Sequence, residues 1–243
     1  MSDAPRRILV SGGTSGIGRA CVERLVSCGH RLWVLGSREP GLRAVREALP
    51  LAGSSRCDVA DADAVEGAVA EAVAELGGLD GAFVNAGIDG LGVPAADVDV
   101  AHFRRVLDVN VIGAFLVARE TAKAMKGPAS IVMNASMNAL RPETGFVDYN
   151  ASKAAVVSIA RTMAIELAPE GIAVTALCPG YFPTPMTAPY LDDPSTRAEL
   201  LAKIPAGRFG RLDEVAALVD FLLTSDAAYM TGGVITLDGA AGA

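Results

Sequence analysis

The chain has 243 residues, 51% of them hydrophobic and 20% charged, a balance that supports a buried core and excludes a disordered chain. Its net charge of −7 comes from 28 acidic against 21 scattered basic residues, which excludes a surface that tracks a phosphate backbone, so no nucleic-acid partner is expected. There is no run of about 18 uncharged apolar residues and no leader-like segment in the opening MSDAPRRILV, so a soluble, cytoplasmic protein without a membrane partner is expected.

In chain order, the first apolar run, RRILVS at 6–11, leads into SGGTSGIG at 11–18. A helical pattern with Val22, Leu25 and Val26 follows. Glycines at 12, 16 and 18 let the chain turn tightly and let an anion approach the backbone, while a helix start offers N–H groups and partial positive charge. The turn lacks both the GK[ST] ending of an ATP-type loop and the GxGxxG spacing of the commonest dinucleotide turn. On its own it reads either as an anion cradle or as a tight connection.

Further strands are expected at 31–36, 53–59, 79–85, 129–135, 171–178 and 233–238, separated by helices such as the one carrying Val65, Val69, Val73 and Leu76. Such alternation predicts one domain, 1–243, with a parallel sheet covered on both faces. Residues 179–211 hold six prolines and interrupt the pattern, so 180–211 is expected to form a lid over the carboxyl edge of the sheet. Asp192, Asp193 and Glu199 within it read as solvated. The four cysteines show neither zinc spacing nor a CxxC and are expected to be reduced and mostly buried. His30 and His102, the only histidines, are too few for a metal site or a Ser-His-Asp triad and are expected to be solvated; no metal is expected. Met133 and Met137 read as core or pocket wall.

Tyr149 and Lys153, in DYNASKAA, stand one helical turn apart and share a helix face. A cation there favours phenolate over phenol, which suits a general acid or base near neutrality. The plain alternative is a surface pair worth about 0.2–0.5 kcal/mol.

These motifs recur in a fixed order: GxxxGxG after the first strand, Asp58-Val59 in CDVAD, VNAG at 84–87, Asn110 in NVIG, Ser136 in NASMNA, YNASK, and Pro179-Gly180. Together they resemble the short-chain dehydrogenase/reductase family in its compact single-domain form, with Val84 replacing the first asparagine of the family's NNAG turn. The resemblance implies an α/β fold, a Rossmann-type doubly wound three-layer sandwich with a seven-stranded parallel sheet. It also implies an NAD(P)-dependent enzyme that interconverts a ketone and a secondary alcohol.

The implied roles are Tyr149 as proton donor or acceptor, Ser136 as hydrogen-bond partner of the same substrate oxygen, Lys153 as tuner of Tyr149 and holder of the nicotinamide ribose, and Asn110 as anchor of a proton-relaying water. Implied dinucleotide contacts in the first half of the chain are Gly12, Thr14, Ser15, Gly16, Ile17 and Gly18, then Ser37, Arg38, Asp58 and Val59. Asn85, Ala86, Gly87, Tyr149, Lys153, Pro179, Gly180, Phe182 and Thr184 complete the set.

NAD-preferring members end the second strand with an acid, and that position here is Gly36. Ser37 and Arg38 follow and suit a 2′-phosphate, so NADP(H) is favoured over NAD(H), although Glu39 could reach a ribose diol and Ser15 stands where some NADP-binding relatives carry a basic residue. Substrate contacts are assigned to Ser136, Asn138, Tyr149 and Tyr181, with Asp89, Arg141, Glu143, Phe146, Phe182, Met186 and Tyr190 nearby. Their polarity points to a small or medium polar substrate. The runner-up readings are a 3-ketoacyl-type or enoyl reductase and a non-catalytic dinucleotide-binding sensor. Members of the family usually assemble, so a homotetramer, or a homodimer, is expected through 101–125, 147–168 and the C-terminal strand.

Overall fold

Runs of β-branched and aliphatic residues form the strands Arg7–Ser11 (β1), Arg31–Gly36 (β2), Gly53–Arg56 (β3), Leu79–Val84 (β4), Met125–Asn134 (β5), Ile172–Pro179 (β6) and Val234–Leu237 (β7). The computed structural model describes residues 5–243, apart from the side chain of Ser225. All neighbouring strands pair in parallel, in the order β3-β2-β1-β4-β5-β6-β7. This is the doubly wound sheet expected from the strand-helix alternation.

Two strand limits differ from the sequence reading by more than one residue. β3 ends at Arg56, so Cys57, Asp58 and Val59 leave the sheet as a loop. β5 begins early, at Met125, and its register against β4 shifts between Leu79 and Gly81; Pro128, which has no N–H to donate, lies in the interrupted stretch.

The helices are Gly16–Ser27 (α1), Glu39–Ala48 (α2), Ala62–Leu76 (α3), Val100–Leu107 (α4), Ala114–Ala124 (α5), Val147–Leu167 (α6), Ala188–Leu191 (α7), Pro194–Ala202 (α8) and Leu212–Leu222 (α9). α3, α5 and α6 pack on one face of the sheet, and α1, α2 and α9 on the other. Strand side chains alternate between the two cores: Leu9 joins the first, whereas Ile8 and Val10 join the second, all without solvent contact. Each such side chain contributes about 1.5–3 kcal/mol through its burial, which is why these strands read as continuous apolar runs.

The amino edge of the sheet is tied by charge. Asp80 accepts from the Arg7 backbone N–H at 2.9 Å, from Nε at 2.9 Å and from Nη2 at 2.6 Å, and these bonds hold its carboxyl below the usual carboxylate range. The carboxyl edge is left to loops.

α4 and α5 are one helical path interrupted by a widened, π-helical turn at Asp108–Gly113, which carries Asn110. α3 begins with Asp61 accepting from the N–H groups of Asp63 and Ala64 and ends at Gly77 in the left-handed region, with φ 77°.

Of the two histidines expected to be solvated, His30 is buried and His102 is part-exposed. The His30 side chain is 6% exposed, its Nδ1 accepts from the Arg6 N–H at 3.0 Å, and its Nε2 lies 3.3 Å from Asp220 on α9. His102 places Nε2 3.5 Å from the completely buried Asp148 carboxylate. Asp220, from a distant element, thus draws the His30 ring in, whereas the His102 side chain remains 31% exposed. Three cysteines are buried as expected, and Cys28 is exposed. Among the described residues, no helix is long and apolar enough to cross a membrane, and no cluster of three or more His, Cys, Asp or Glu is placed to hold a metal ion.

Candidate active site

At the carboxyl edge, β1 runs into the glycine turn and then α1. Gly12 and Gly16 have φ of 67° and 53°, which side chains disfavour. A Cβ on Gly12 would meet Ala86 Cα at 2.8 Å, and one on Gly18 would meet the Gly12 carbonyl oxygen at 2.2 Å. Ser15, at the start of α1, makes no side-chain capping bond, and the first turn holds no acidic residue. The positive end of the helix is thus left for an anion.

A chain of polar contacts then crosses the strand ends. Ser11 Oγ accepts from the N–H groups of Asn85 and Ala86 at 3.0 and 3.2 Å, and Asn85 Nδ2 donates to the Gly12 oxygen at 3.0 Å. Asn134 Nδ2 donates to Asn85 Oδ1 at 2.9 Å, and the Asn134 carbonyl accepts from Lys153 Nζ at 2.9 Å. The glycine turn and the Tyr149-Lys153 helix are therefore linked through β4 and β5.

Tyr149 and Lys153 lie in the first two turns of α6, with Nζ 5.6 Å from the centre of the phenol ring. Burial pushes the Tyr149 phenol above its ordinary value, the Asp89 charge adds to this, and a hydrogen bond with Ser136 opposes it. Burial pulls the Lys153 ammonium down to about 8. The expected lowering of the Tyr149 phenol is therefore absent in the protein alone, because the cost of ionising a buried phenol dominates. Ser136 follows β5, and its Oγ accepts from the Asn138 N–H at 3.2 Å, which fixes a short turn.

Asn110 is buried behind these residues. Its Oδ1 accepts from the Ile88 N–H at 2.8 Å, and its Nδ2 donates to the Ile88 carbonyl at 2.9 Å and to Ser152 Oγ at 3.1 Å. The whole carboxamide is engaged in holding the loop after β4, so it has little capacity left for the expected water.

Two cavities meet at Tyr149. A cleft of about 650 Å³ runs from the glycine turn past Ser37, Arg38 and Asp58 to Ser136, Tyr149 and Lys153. A second cavity of about 300 Å³ lies between Ser136, Tyr149, Asp89 and the segment carrying α7 and α8.

A family model described as enoyl-(acyl carrier protein) reductase matches residues 12–240. The chain is also 35% identical, over 97% of its length and 91% of the relative's, to glucose 1-dehydrogenase of Gluconobacter oxydans. The chain belongs to the short-chain dehydrogenase/reductase family. Among solved relatives in this family, 3-ketoacyl-(acyl-carrier-protein) reductase of Brucella melitensis complexed with NADH superposes with a TM-score of 0.90 at 30% identity, covering 97% of this chain and 98% of that one. A single-substitution variant of actinorhodin polyketide ketoreductase with NADPH gives 0.91 at 32% identity, covering 98% and 97%. The protein is an oxidoreductase of the alcohol/ketone class.

The cleft of this short-chain dehydrogenase/reductase is lined by every dinucleotide contact expected from sequence except Gly18, which sits behind the turn against Gly12. A dinucleotide fits: the turn approaches too closely to admit side chains at Gly12 or Gly18, and the buried Asn134 Oδ1 beside Lys153 has no hydrogen-bond partner within the protein. Sequence reading missed Ser11 and Asn134. Asn134 stands in the quoted NASMNA, but nothing in its spacing separates it from a strand end. It also missed Arg105, whose Nη2 lies 3.3 Å from Asp58 at the cleft wall.

Of the residues expected near substrate, only Arg141 is absent from the second cavity, because its guanidinium donates to the Ala241 carbonyl of the C-terminal segment. Asn138 lines it with its Nδ2 held by Asn150 Oδ1 at 3.1 Å. Lys203 is an unforeseen wall residue. Glu199 is exposed, as expected, yet also contributes to the wall.

Proposed function

We propose that the protein interconverts a small or medium polar ketone and its secondary alcohol with NADP(H), using Tyr149 as the acid/base and 180–211 as a lid. The observation that carries this reading is that Ser136 and Tyr149 wall both cavities, where a reacting oxygen would reach both hydroxyls. The dinucleotide, when bound, supplies or accepts the hydride at its nicotinamide carbon. Tyr149 gives its proton to the carbonyl oxygen in reduction and takes it from the alcohol in oxidation, while Ser136 donates a hydrogen bond to the same oxygen. Lys153 would hold the nicotinamide ribose hydroxyls, and Gly12, Thr14 and the start of α1 the pyrophosphate. A water relay at Asn110 would have to use its main-chain carbonyl, since the side chain is engaged. The one-turn spacing of Tyr149 and Lys153 favours carbonyl chemistry over the enoyl reduction in the family model's description.

The cofactor preference rests on the end of β2. No carboxylate stands at Gly36, Ser37 and Arg38 are exposed on the cleft, and Glu39 is drawn away into an ion pair with Arg46. A panel of polar ketones and alcohols with NADPH and NADH, followed by the absorbance of the reduced cofactor, should show turnover and a lower KM for NADPH. In Arg38→Ala the KM for NADPH should rise about 10–100-fold, the value of one charge-assisted phosphate contact, with the KM for NADH little changed. Unaltered NADPH kinetics in the variant would refute the preference.

A homotetramer also belongs to this reading. Ile112, Phe115, Val147 and Ile165 are exposed on the π-helical turn, α5 and α6, with Ile165 at 78%, and Tyr229 and Met230 are exposed just before β7. Light scattering should give a mass of four chains, reduced by Ile165→Glu. A monomer at micromolar concentration would remove the assembly from the proposal.

A further inference from the structure

Resting on the alcohol/ketone reading, we propose that the substrate carries a second, neutral hydroxyl next to the reacting carbon, as in a vicinal diol or hydroxyketone, and that Asp89 is the group that accepts it. Asp89 follows Gly87 by two residues on the loop after β4 and lines the substrate cavity together with Tyr149. Its Oδ1 accepts from the Gly90 N–H at 2.9 Å and its Oδ2 from the Tyr190 hydroxyl at 2.8 Å. A carboxylate can accept about four hydrogen bonds, so capacity remains at a half-buried group whose two partners are both neutral. Burial raises its carboxyl above the ordinary value, as do the nearby charges of Asp148 and Glu143. Further donors would offset that cost.

Of the other two acidic groups on this wall, Glu199 is exposed on α8 and Glu143 is already engaged. Glu143 Oε1 accepts from Lys203 Nζ at 2.6 Å and from the Tyr181 hydroxyl at 3.0 Å. Asp89 is therefore the half-buried carboxylate on this wall that is left for a ligand. The charges around the cavity also narrow the class. Asp89, Glu143 and Glu199 outnumber Lys203 on the wall, which disfavours a substrate bearing a carboxylate or phosphate. An ammonium beside Asp89 would in turn meet the field of Lys153, which already interacts with the Asp89 charge. A neutral hydroxyl avoids both penalties. Because Tyr190 belongs to α7, its bond to Asp89 fastens the 180–211 segment to the same carboxylate that reads the substrate.

The test uses one carbinol with four neighbours: isopropanol, propylene glycol, isopropanolamine and lactate, each oxidised by the full-length protein with NADP⁺, together with cyclohexanol against vicinal cyclohexanediol. Propylene glycol and the cyclohexanediol should exceed their mono-ols in kcat/KM by about tenfold or more, with lactate no better than isopropanol. In Asp89→Ala each diol/mono-ol ratio should fall to about one, and in Tyr190→Phe, which keeps Asp89, the preference for the diol should remain. Should Asp89→Ala not fold, Asp89→Asn, which retains an acceptor but no charge, should lower the ratio only in part. Equal kcat/KM for diol and mono-ol in the native protein overturns the role of Asp89, and a preference for isopropanolamine overturns the neutral hydroxyl in favour of an ammonium. Failure to oxidise any of the six alcohols, with ketone reduction equally absent, contradicts the alcohol/ketone reading itself.

Discussion

Replacing Tyr149 by Phe should lower kcat/KM by about 10²–10⁴, the usual contribution of a positioned proton donor, while dinucleotide affinity and melting temperature change little. Phenylalanine fills the same space, and the loss is confined to one hydroxyl and its hydrogen bond with Ser136. The direction of the pH dependence follows from the site. Burial and the Asp89 charge keep the phenol protonated through neutrality, so the proton donor for ketone reduction is in place there. Alcohol oxidation needs the deprotonated form, so its rate should climb with pH. That climb should flatten once the pH passes about 8, where the Lys153 ammonium gives up its proton and no longer favours a phenolate. Stopped-flow or steady-state profiles in both directions check this. A Tyr149→Phe protein that keeps more than about a tenth of native activity would exclude Tyr149 as the acid. A cellular role that survives the same substitution intact would favour a non-catalytic sensor.

Gly18→Ala should be the most damaging single methyl group in the dinucleotide half. Its Cβ would stand 2.2 Å from the Gly12 oxygen, a backbone atom, and 2.5 Å from Asn85 Nδ2, a side-chain end pinned by its bonds to the Ser11 and Gly12 oxygens. The turn must shift, and with it the backbone that would face the pyrophosphate. Overpacking of this kind costs about 1–3 kcal/mol, so the melting temperature should fall by about 2–10 °C for a chain of this size. Dinucleotide affinity, read by quenching or calorimetric titration, should fall by about 100-fold or more, the loss of two or so backbone contacts to phosphate. Gly67→Ala on α3 is the matched control, since its Cβ meets nothing within 4 Å and its φ is not in the positive range. It should be neutral or slightly stabilising. Native dinucleotide affinity in Gly18→Ala would show that the turn is only a connection.

The sheet was legible because strands buried on both faces leave uninterrupted apolar runs, as in Ile8, Leu9 and Val10, and because glycines mark where the chain must reverse. β3 was legible only in part: GSSR has no apolar run, so position located it and its end was misplaced. In the site, the residues with fixed spacing were visible and those joined by tertiary contact were not. Ser11 and Asn134 look ordinary until β1, β4 and β5 lie side by side. His30 is buried by Asp220, 190 residues away. The Tyr149-Lys153 spacing shows that the two can meet, but the dielectric around them belongs to the folded protein. That is why the direction of the phenol shift could not be read from DYNASKAA.

Met186 and Thr187 wall both the dinucleotide cleft and the substrate cavity. The floor beneath them is stiff, a set of strand ends cross-linked by amides. The cover is held at its α7 and α8 end by Tyr190 on Asp89 and Lys203 on Glu143. Under the proposed lid, two exits would share one door. Movements of such covers run on the microsecond to millisecond scale and often limit turnover, so in the proposed lid role this one segment would tie the residence times of both ligands together.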